Sequence, residues 1–198
     1  QIRKSTAVKF GMGASLDAWD VLLTAMTKKG DTKSELLDAG LVVQNKNGGL
    51  YDKFRNRLML PVIDTRGDVV AFGSRVLDKS EPKYMNSSET PVYSKRRVLY
   101  GLNLAKKSKR PNIILCEGNL DIVTLHQAGF DNAVASMGTA LTVEQTRLLS
   151  RFTKELVLCY DNDNAGKIAT ERALQILNGS EFSVKVLQLP RRLVDGQY

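Results

Sequence analysis

Leu156–Gly166, LVLCYDNDNAG, is the stretch on which the reading of this chain turns. An apolar run climbs to Tyr160, two carboxylates follow at Asp161 and Asp163, and Ala165-Gly166 opens a helical pattern. In extended chain, residues two apart point to the same side, about 6.5–7 Å apart at strand rise. Two carboxylates held that close repel each other unless one is protonated or a cation neutralises them. Hard divalent ions such as Mg²⁺ take carboxylate oxygens. Asp and Asn are also ordinary turn residues, so the pair alone leaves a metal site and a polar turn both open.

The sequence around this stretch alternates strands and helices. NIILC (112–116) reads as a strand leading into Glu117-Gly118, followed by a helix from Leu120 to Ala128 that Gly129 stops. NAVAS (132–136) is a second strand, and Thr142-Val143-Glu144-Gln145 is a capping box for a helix through Leu149. ELVLCY (155–160) delivers the Asp pair, a helix follows from about Asn164 to Leu177, and FSVKVLQL (182–189) closes the series. Such an order predicts a parallel sheet covered by helices, with the site at the carboxyl ends of the strands. Glu117 ends the first strand and Asp161 and Asp163 the third, so three carboxylates are expected on one rim. A Rossmann-like nucleotide site is the competing reading, but no G-x-G-x-x-G and no P-loop follows either strand.

Upstream the pattern differs. Residues 15–29 read as a helix with Ser15 as N-cap and Leu16, Trp19, Leu22, Leu23 and Met26 as its core face. Asp31 is the expected cap of a short helix through Leu37. Arg57–Asp64 and Asp68–Val76 read as strands about a Thr65-Arg66-Gly67 turn, with Pro61 marking an edge or bulge. Residues 53–110 hold fourteen Lys or Arg against five Asp or Glu, whereas 111–198 hold eight against ten. The net charge of +8 therefore originates in the middle block, and a one-signed excess suits phosphate-rich partners. Within it, Lys83, Tyr84, Asn86 and Lys95 lie in an irregular loop that mixes cations, amides and aromatics, as nucleic-acid grooves do.

Composition excludes other classes. Two cysteines and one histidine are too few for a structural zinc site. Cys116 and Cys159 close apolar runs, which points to buried thiols in a reducing compartment, and His126 sits in an apolar helical pattern as a packing residue. No apolar run nears the ~20 residues that span a bilayer, and Gln1 is followed by charge rather than a signal-peptide pattern. A start without Met suggests an excised fragment.

Glu117-Gly118-Asn119-Leu120-Asp121, Ala135–Ala140 and Asp161–Gly166 together resemble the Toprim metal-binding fold. With FRNRLMLPVIDTRGDVVAFGSRVL (54–77) and PKYMNSSETPVYSKRRVLYGL (82–102), nearly the whole chain resembles the RNA-polymerase core of bacterial-type replicative DNA primases, the DnaG family. The resemblance implies an α/β architecture: a basic α+β subdomain over 1–108 forming the template and nucleotide groove, a Toprim domain over 109–190, and an atypical tail over 191–198. It implies metal-dependent synthesis of short RNA primers on single-stranded DNA from ribonucleoside triphosphates. Glu117, Asp161 and Asp163 would be the catalytic, Mg²⁺- or Mn²⁺-binding carboxylates, with Asp121 in a supporting role. Arg55, Arg57, Arg75, Lys83, Tyr84, Asn86 and Lys95 would contact template or nucleotide. Also implied are a replicative helicase and single-strand-binding protein as partners of the full-length protein, a cytoplasmic, nucleoid-associated location, and a monomeric fragment without zinc or membrane contact. A Toprim nuclease or topoisomerase-like enzyme, and a non-catalytic nucleic-acid- or nucleotide-binding fragment, are the alternatives. Two departures stand out: Asn162 where the family has Gly, and a tail in which only Asp195 could replace the family's further acidic motif.

Overall fold

The computed structural model describes residues 1–138 and 140–188; the tail with Asp195 lies outside them. The chain divides into two compact units, Gln1–Ser94 and the residues from Lys95 onward.

The first unit runs α1 (Lys4–Lys9), β1 (Gly13–Ala14), α2 (Val21–Lys29), α3 (Lys33–Asp38), β2 (Val42–Gln44), β3 (Leu50–Asp52), β4 (Arg57–Ile63), β5 (Val69–Val76) and β6 (Tyr84–Asn86). Antiparallel pairing gives one sheet in the order β1-β4-β5-β6 and a separate β2-β3 hairpin. The expected turn between β4 and β5 is built on Asp64, whose Oδ1 accepts the N–H groups of Arg66, Gly67 and Asp68 at 2.8–3.1 Å. Pro61 is tolerated because β1 pairs only with Leu58 and Met59, leaving that side of β4 open at residue 61.

The helix expected over 15–29 is shorter and starts later. Ser15 does not cap it; its hydroxyl instead accepts the Arg57 N–H at 3.0 Å, beside β4. Asp52, buried at the end of β3, satisfies the helix start, its two oxygens accepting Leu22 N–H at 2.7 Å and Leu23 N–H at 2.9 Å. Nor does the predicted face form a closed core: no α2 residue is fully buried, Leu16 and Trp19 are 66% and 65% exposed, and Leu22 and Met26 line an apolar cavity of about 490 Å³ with Phe54 and Phe72. The next helix is capped by Thr32, not Asp31, through a capping box with Glu35.

The second unit runs β7 (Leu99–Tyr100), α4 (Leu102–Ala105), β8 (Asn112–Cys116), α5 (Asn119–Gln127), β9 (Ala133–Ser136), α6 (Val143–Leu149), β10 (Glu155–Leu158), α7 (Asn164–Leu177) and β11 (Ser183–Val186). Its sheet has the order β11-β10-β8-β9-β7, parallel except for β7, which runs antiparallel to β9. Leu115, Val134, Leu149, Leu156 and Leu158 are fully buried and form the centre of the core. The compact units divide at 94/95, and Leu99 and Tyr100 pair with Ser136 and Ala135 and so belong to this sheet despite their basic surroundings. The capping box on α6 forms as expected between Thr142 and Gln145. His126 is buried, with Nε2 2.9 Å from the Ala133 carbonyl oxygen, in the packing role expected of it.

Candidate metal centre and nucleic-acid face

Strand order fixes where a ligand can sit in the second unit. From β8 the chain moves to β9 on one side, then returns to β10 and β11 on the other. The direction of winding thus reverses between β8 and β10, and in open α/β sheets the crevice outside the carboxyl ends at such a switch point is the binding site. Glu117 directly follows β8, and Asp161 and Asp163 follow β10. The three carboxylates therefore stand beside one crevice although 44 residues separate the first two.

Local chemistry holds each in place. The Asp161 N–H reaches Glu117 Oε1 at 3.4 Å, a long contact that ties the two strand ends. Asp163 is the N-cap of α7, its Oδ1 accepting the Gly166 N–H at 2.8 Å. Gly166 is required by close approach: a Cβ there would lie 2.0 Å from the Asp161 carbonyl oxygen. Asn162 needs no glycine-like backbone, since Asn56 is the only non-glycine residue of positive φ among the described residues. Asp121, in the first turn of α5, turns back so that its carboxylate accepts the Gly118 N–H.

The rim is electrostatically crowded. Desolvation, then the charge of Asp161, then those of Asp163 and Asp121, push the Glu117 carboxyl above its ordinary range. Desolvation of its carboxyl, followed by the charge of Asp161, raises Asp121 as well, although that residue as a whole is exposed. This is the signature of carboxylates lacking a counter-charge. All donors are hard oxygens, the set that suits Mg²⁺ or Mn²⁺ rather than a thiolate-seeking ion. Among the described residues no three His, Cys, Asp or Glu side chains form a ready-made cage. Mg²⁺ does not need one, because it usually keeps several waters and binds one or two carboxylates plus substrate phosphates.

The basic residues predicted to contact nucleic acid fall into separate groups. The Arg55 guanidinium lies 4.1 Å from the Trp19 ring centroid and 5.1 Å from that of Tyr51, and its Nη1 donates to the Asp52 carbonyl at 2.6 Å. Trp19 and Tyr51 meet edge to face at 5.5 Å. Arg75 and Lys83 each lie 5.6 Å from the exposed Tyr84 ring, forming a second cation–aromatic group across β5 and β6. Asn86 extends β6, paired opposite Gly73. Lys95 belongs to the second unit, where its carbonyl accepts from Gln145 Nε2 at 2.9 Å.

Arg57 departs from its expected role. It is 5% exposed on β4, and its Nη2 donates to the Pro82 carbonyl at 2.9 Å. Burial, then the neighbouring Arg55 charge, lowers its pKa, so in this structure it braces the segment before β6 rather than presenting a cation to solvent. Conversely, Trp19 and Tyr51 were not among the expected contacts. The helical spacing of Trp19 argued for a core position, and nothing near it in the chain argued otherwise.

An acidic rim at the switch point of a parallel sheet defines the second unit as a Toprim-like domain, and the Toprim-like family model matches residues 114–196. The model for the N-terminal domain of the DNA primase catalytic core matches residues 1–106, and the chain belongs to that family. The DNA primase of Clostridium acetobutylicum is 48% identical over 190 residues, covering 96% of this chain and 32% of its own length. That of Escherichia coli K12 is 43% identical over 169 residues, covering 84% and 29%. The chain thus spans about a third of the length of these relatives. Among solved structures, the E. coli primase catalytic core superposes with a TM-score of 0.90 at 36% identity, covering 99% of this chain and 64% of that one. A DnaG primase catalytic domain bound to single-stranded DNA superposes with a TM-score of 0.89 at 36% identity, covering 98% and 64%.

Proposed function

We propose that this chain is the part of a DNA primase that joins ribonucleotides into short RNA primers on a single-stranded DNA template. The observation that carries the reading is the meeting of Glu117 and the Asp161/Asp163 pair at the β8/β10 switch point. The fold shared with a catalytic domain bound to single-stranded DNA supports it. On this reading Asp161 and Asp163 hold Mg²⁺ or Mn²⁺, Glu117 is the third acidic group, and Asp121 orients the turn at Gly118. A divalent cation held there would neutralise phosphate charge and favour attack of a 3′-hydroxyl on an α-phosphate, with the α–β phosphoanhydride bond breaking and pyrophosphate leaving. In the first unit, Arg55 with Trp19 and Tyr51, and Arg75 and Lys83 with Tyr84, supply cations beside stacking faces, as single-strand binders do. Asn86 and Lys95 add polar and charged groups for template or nucleotide.

In the full-length protein a replicative helicase and a single-strand-binding protein are its partners, and it acts in the cytoplasm at the nucleoid. Among the described residues no helix is long and apolar enough to cross a membrane. The test combines Mn²⁺ titration with incubation on single-stranded DNA and labelled ribonucleotides. The reading expects Mn²⁺ binding and short RNA from the wild type and neither from the Asp161→Asn/Asp163→Asn double variant. Equal Mn²⁺ affinity in both proteins sinks the site assignment, and cleaved DNA in place of RNA would make the chain a nuclease.

A further inference from the structure

The two cysteines of the chain lie directly beneath the acidic rim. β8 and β10 are adjacent and parallel with Leu115 opposite Leu158, and the Cys159 N–H donates to the Leu115 carbonyl at 2.8 Å. Carried one residue further, this register sets Cys116 opposite Cys159, on the same face of the sheet. Both thiols are free. Cys116 is 2% exposed, while Cys159 is only partly buried and open to a small reagent. Cys116 immediately precedes Glu117, and Cys159 stands two residues before Asp161.

We propose that Cys116 and Cys159 form a reversible disulfide that senses peroxide and disarms the acidic rim. The Cys159 sulfur attacks the O–O bond of hydrogen peroxide. The leaving hydroxide takes up the thiol proton as water, and the sulfur becomes a sulfenic acid. The Cys116 sulfur then attacks that sulfur; the S–O bond breaks, the S–S bond forms, and the Cys116 proton leaves with the hydroxyl as a second water. Two thiols are oxidised by two electrons and one peroxide is reduced to two waters. Reduction by a dithiol reverses the step through a mixed disulfide.

Geometry sets the consequence. Neighbouring strands lie about 4.8 Å apart, at the short end of the roughly 4.4–6.8 Å that the Cα atoms of a disulfide span and below their usual 5.5–6 Å. Closure therefore moves the ends of β8 and β10 relative to each other. That movement falls on Glu117 and on its 3.4 Å contact with the Asp161 N–H. Misfit of this kind makes a disulfide easily reduced, as a regulatory bond must be.

The coupling to metal rests on the proposed role of the rim; the bond itself does not. Reduced protein is treated with hydrogen peroxide, quenched, and its remaining thiols alkylated before intact and peptide mass analysis. The expected product has lost two hydrogens, takes up no alkyl group, contains a 116–159 cross-linked peptide, and regains both thiols in dithiothreitol. Cys116→Val is expected to stop at a Cys159 sulfenic acid, trapped by dimedone. Two alkylated cysteines after peroxide, or only intermolecular or over-oxidised products, overturn the proposal. Mn²⁺ titration of the oxidised and reduced wild type then reads the coupling, with affinity expected to fall by about tenfold or more on oxidation. Equal affinity in the two forms overturns the disarming step. If the reduced protein binds no Mn²⁺, the metal reading of the rim fails while the cross-link result stands by itself.

Discussion

Replacing Gly166 by alanine tests the geometry of the acidic turn with a single methyl group. An alanine Cβ would lie 2.0 Å from the Asp161 carbonyl oxygen, 2.8 Å from its carbonyl carbon and 2.9 Å from its nitrogen. All three atoms are backbone, so no rotamer change relieves the contact. Non-bonded heavy atoms settle at about 3.5–4.0 Å, so the turn must open by roughly 1 Å or more. The Gly166 N–H that Asp163 caps at 2.8 Å moves with it, and a lost N-cap costs about 0.5–2 kcal/mol. Overpacking adds roughly 1–3 kcal/mol. The better helix propensity of alanine returns about 1 kcal/mol. The expected net destabilisation is about 0.5–4 kcal/mol, read as a lower urea midpoint by circular dichroism. Mn²⁺ affinity should fall by about tenfold or more, because Asp161 and Asp163 are displaced together. Gly13→Ala is the control: nothing lies within 4 Å of its added Cβ, so it should stay within about 0.5 kcal/mol of wild type. A Gly166→Ala protein with wild-type midpoint and wild-type Mn²⁺ affinity would refute the close approach.

Gln145 is fully buried and bonds the Lys95 and Val98 carbonyls at 2.9 Å each and the Thr142 N–H at 3.1 Å. Gln145→Leu should therefore lower the stability read from urea unfolding by roughly 1–3 kcal/mol for the backbone groups it strands. The raised carboxyls of Glu117 and Asp121 give a definite sign. The folded state takes up their protons before the unfolded chain does, so metal-free stability from this pair grows as pH falls through the raised values, levelling off below the ordinary carboxylate range near about pH 4. Urea midpoints of wild type against Glu117→Gln/Asp121→Asn should show that difference, and saturating Mg²⁺ should remove it; a difference of opposite sign refutes the crowding. Arg55→Ala should weaken single-stranded DNA binding and reduce the slope of log K against log salt by about 0.7. Trp19→Ala should cost about 1–3 kcal/mol of stacking and leave that slope unchanged. Arg57→Ala should act chiefly on the urea midpoint, since its side chain is buried.

What the sequence revealed and what it hid differ in range along the chain. The strand 112–116, the capping box at Thr142 and Gln145, and the helix 164–177 were legible because apolar runs, caps and turn residues act within a few positions of themselves. Arg57 and Trp19 were misread for the opposite reason. Arg57 is buried because the segment at Pro82, 25 residues on, offers a carbonyl acceptor to its guanidinium. Trp19 stays largely exposed because Asp52 starts the helix two residues after it, and Arg55, 36 positions away, lies over its ring face. Neither effect leaves a periodic trace.

The site shows the same division. The sequence placed each carboxylate at a strand end, which is a local inference. It could not say that β10 would lie against β8 rather than against β9, its predecessor in the chain. Had the strands stacked in chain order, β9 would stand between Glu117 and Asp161, the Asp161 charge would not raise the Glu117 carboxyl, and Cys116 would face Ala135 alone. The reversal of winding between β8 and β10 creates the crevice, concentrates negative charge in it, and places the two thiols side by side below. The proposed metal binding at the rim and the proposed oxidation beneath it thus depend on a single strand adjacency, and mutations that loosen the β8–β10 pairing should weaken both together.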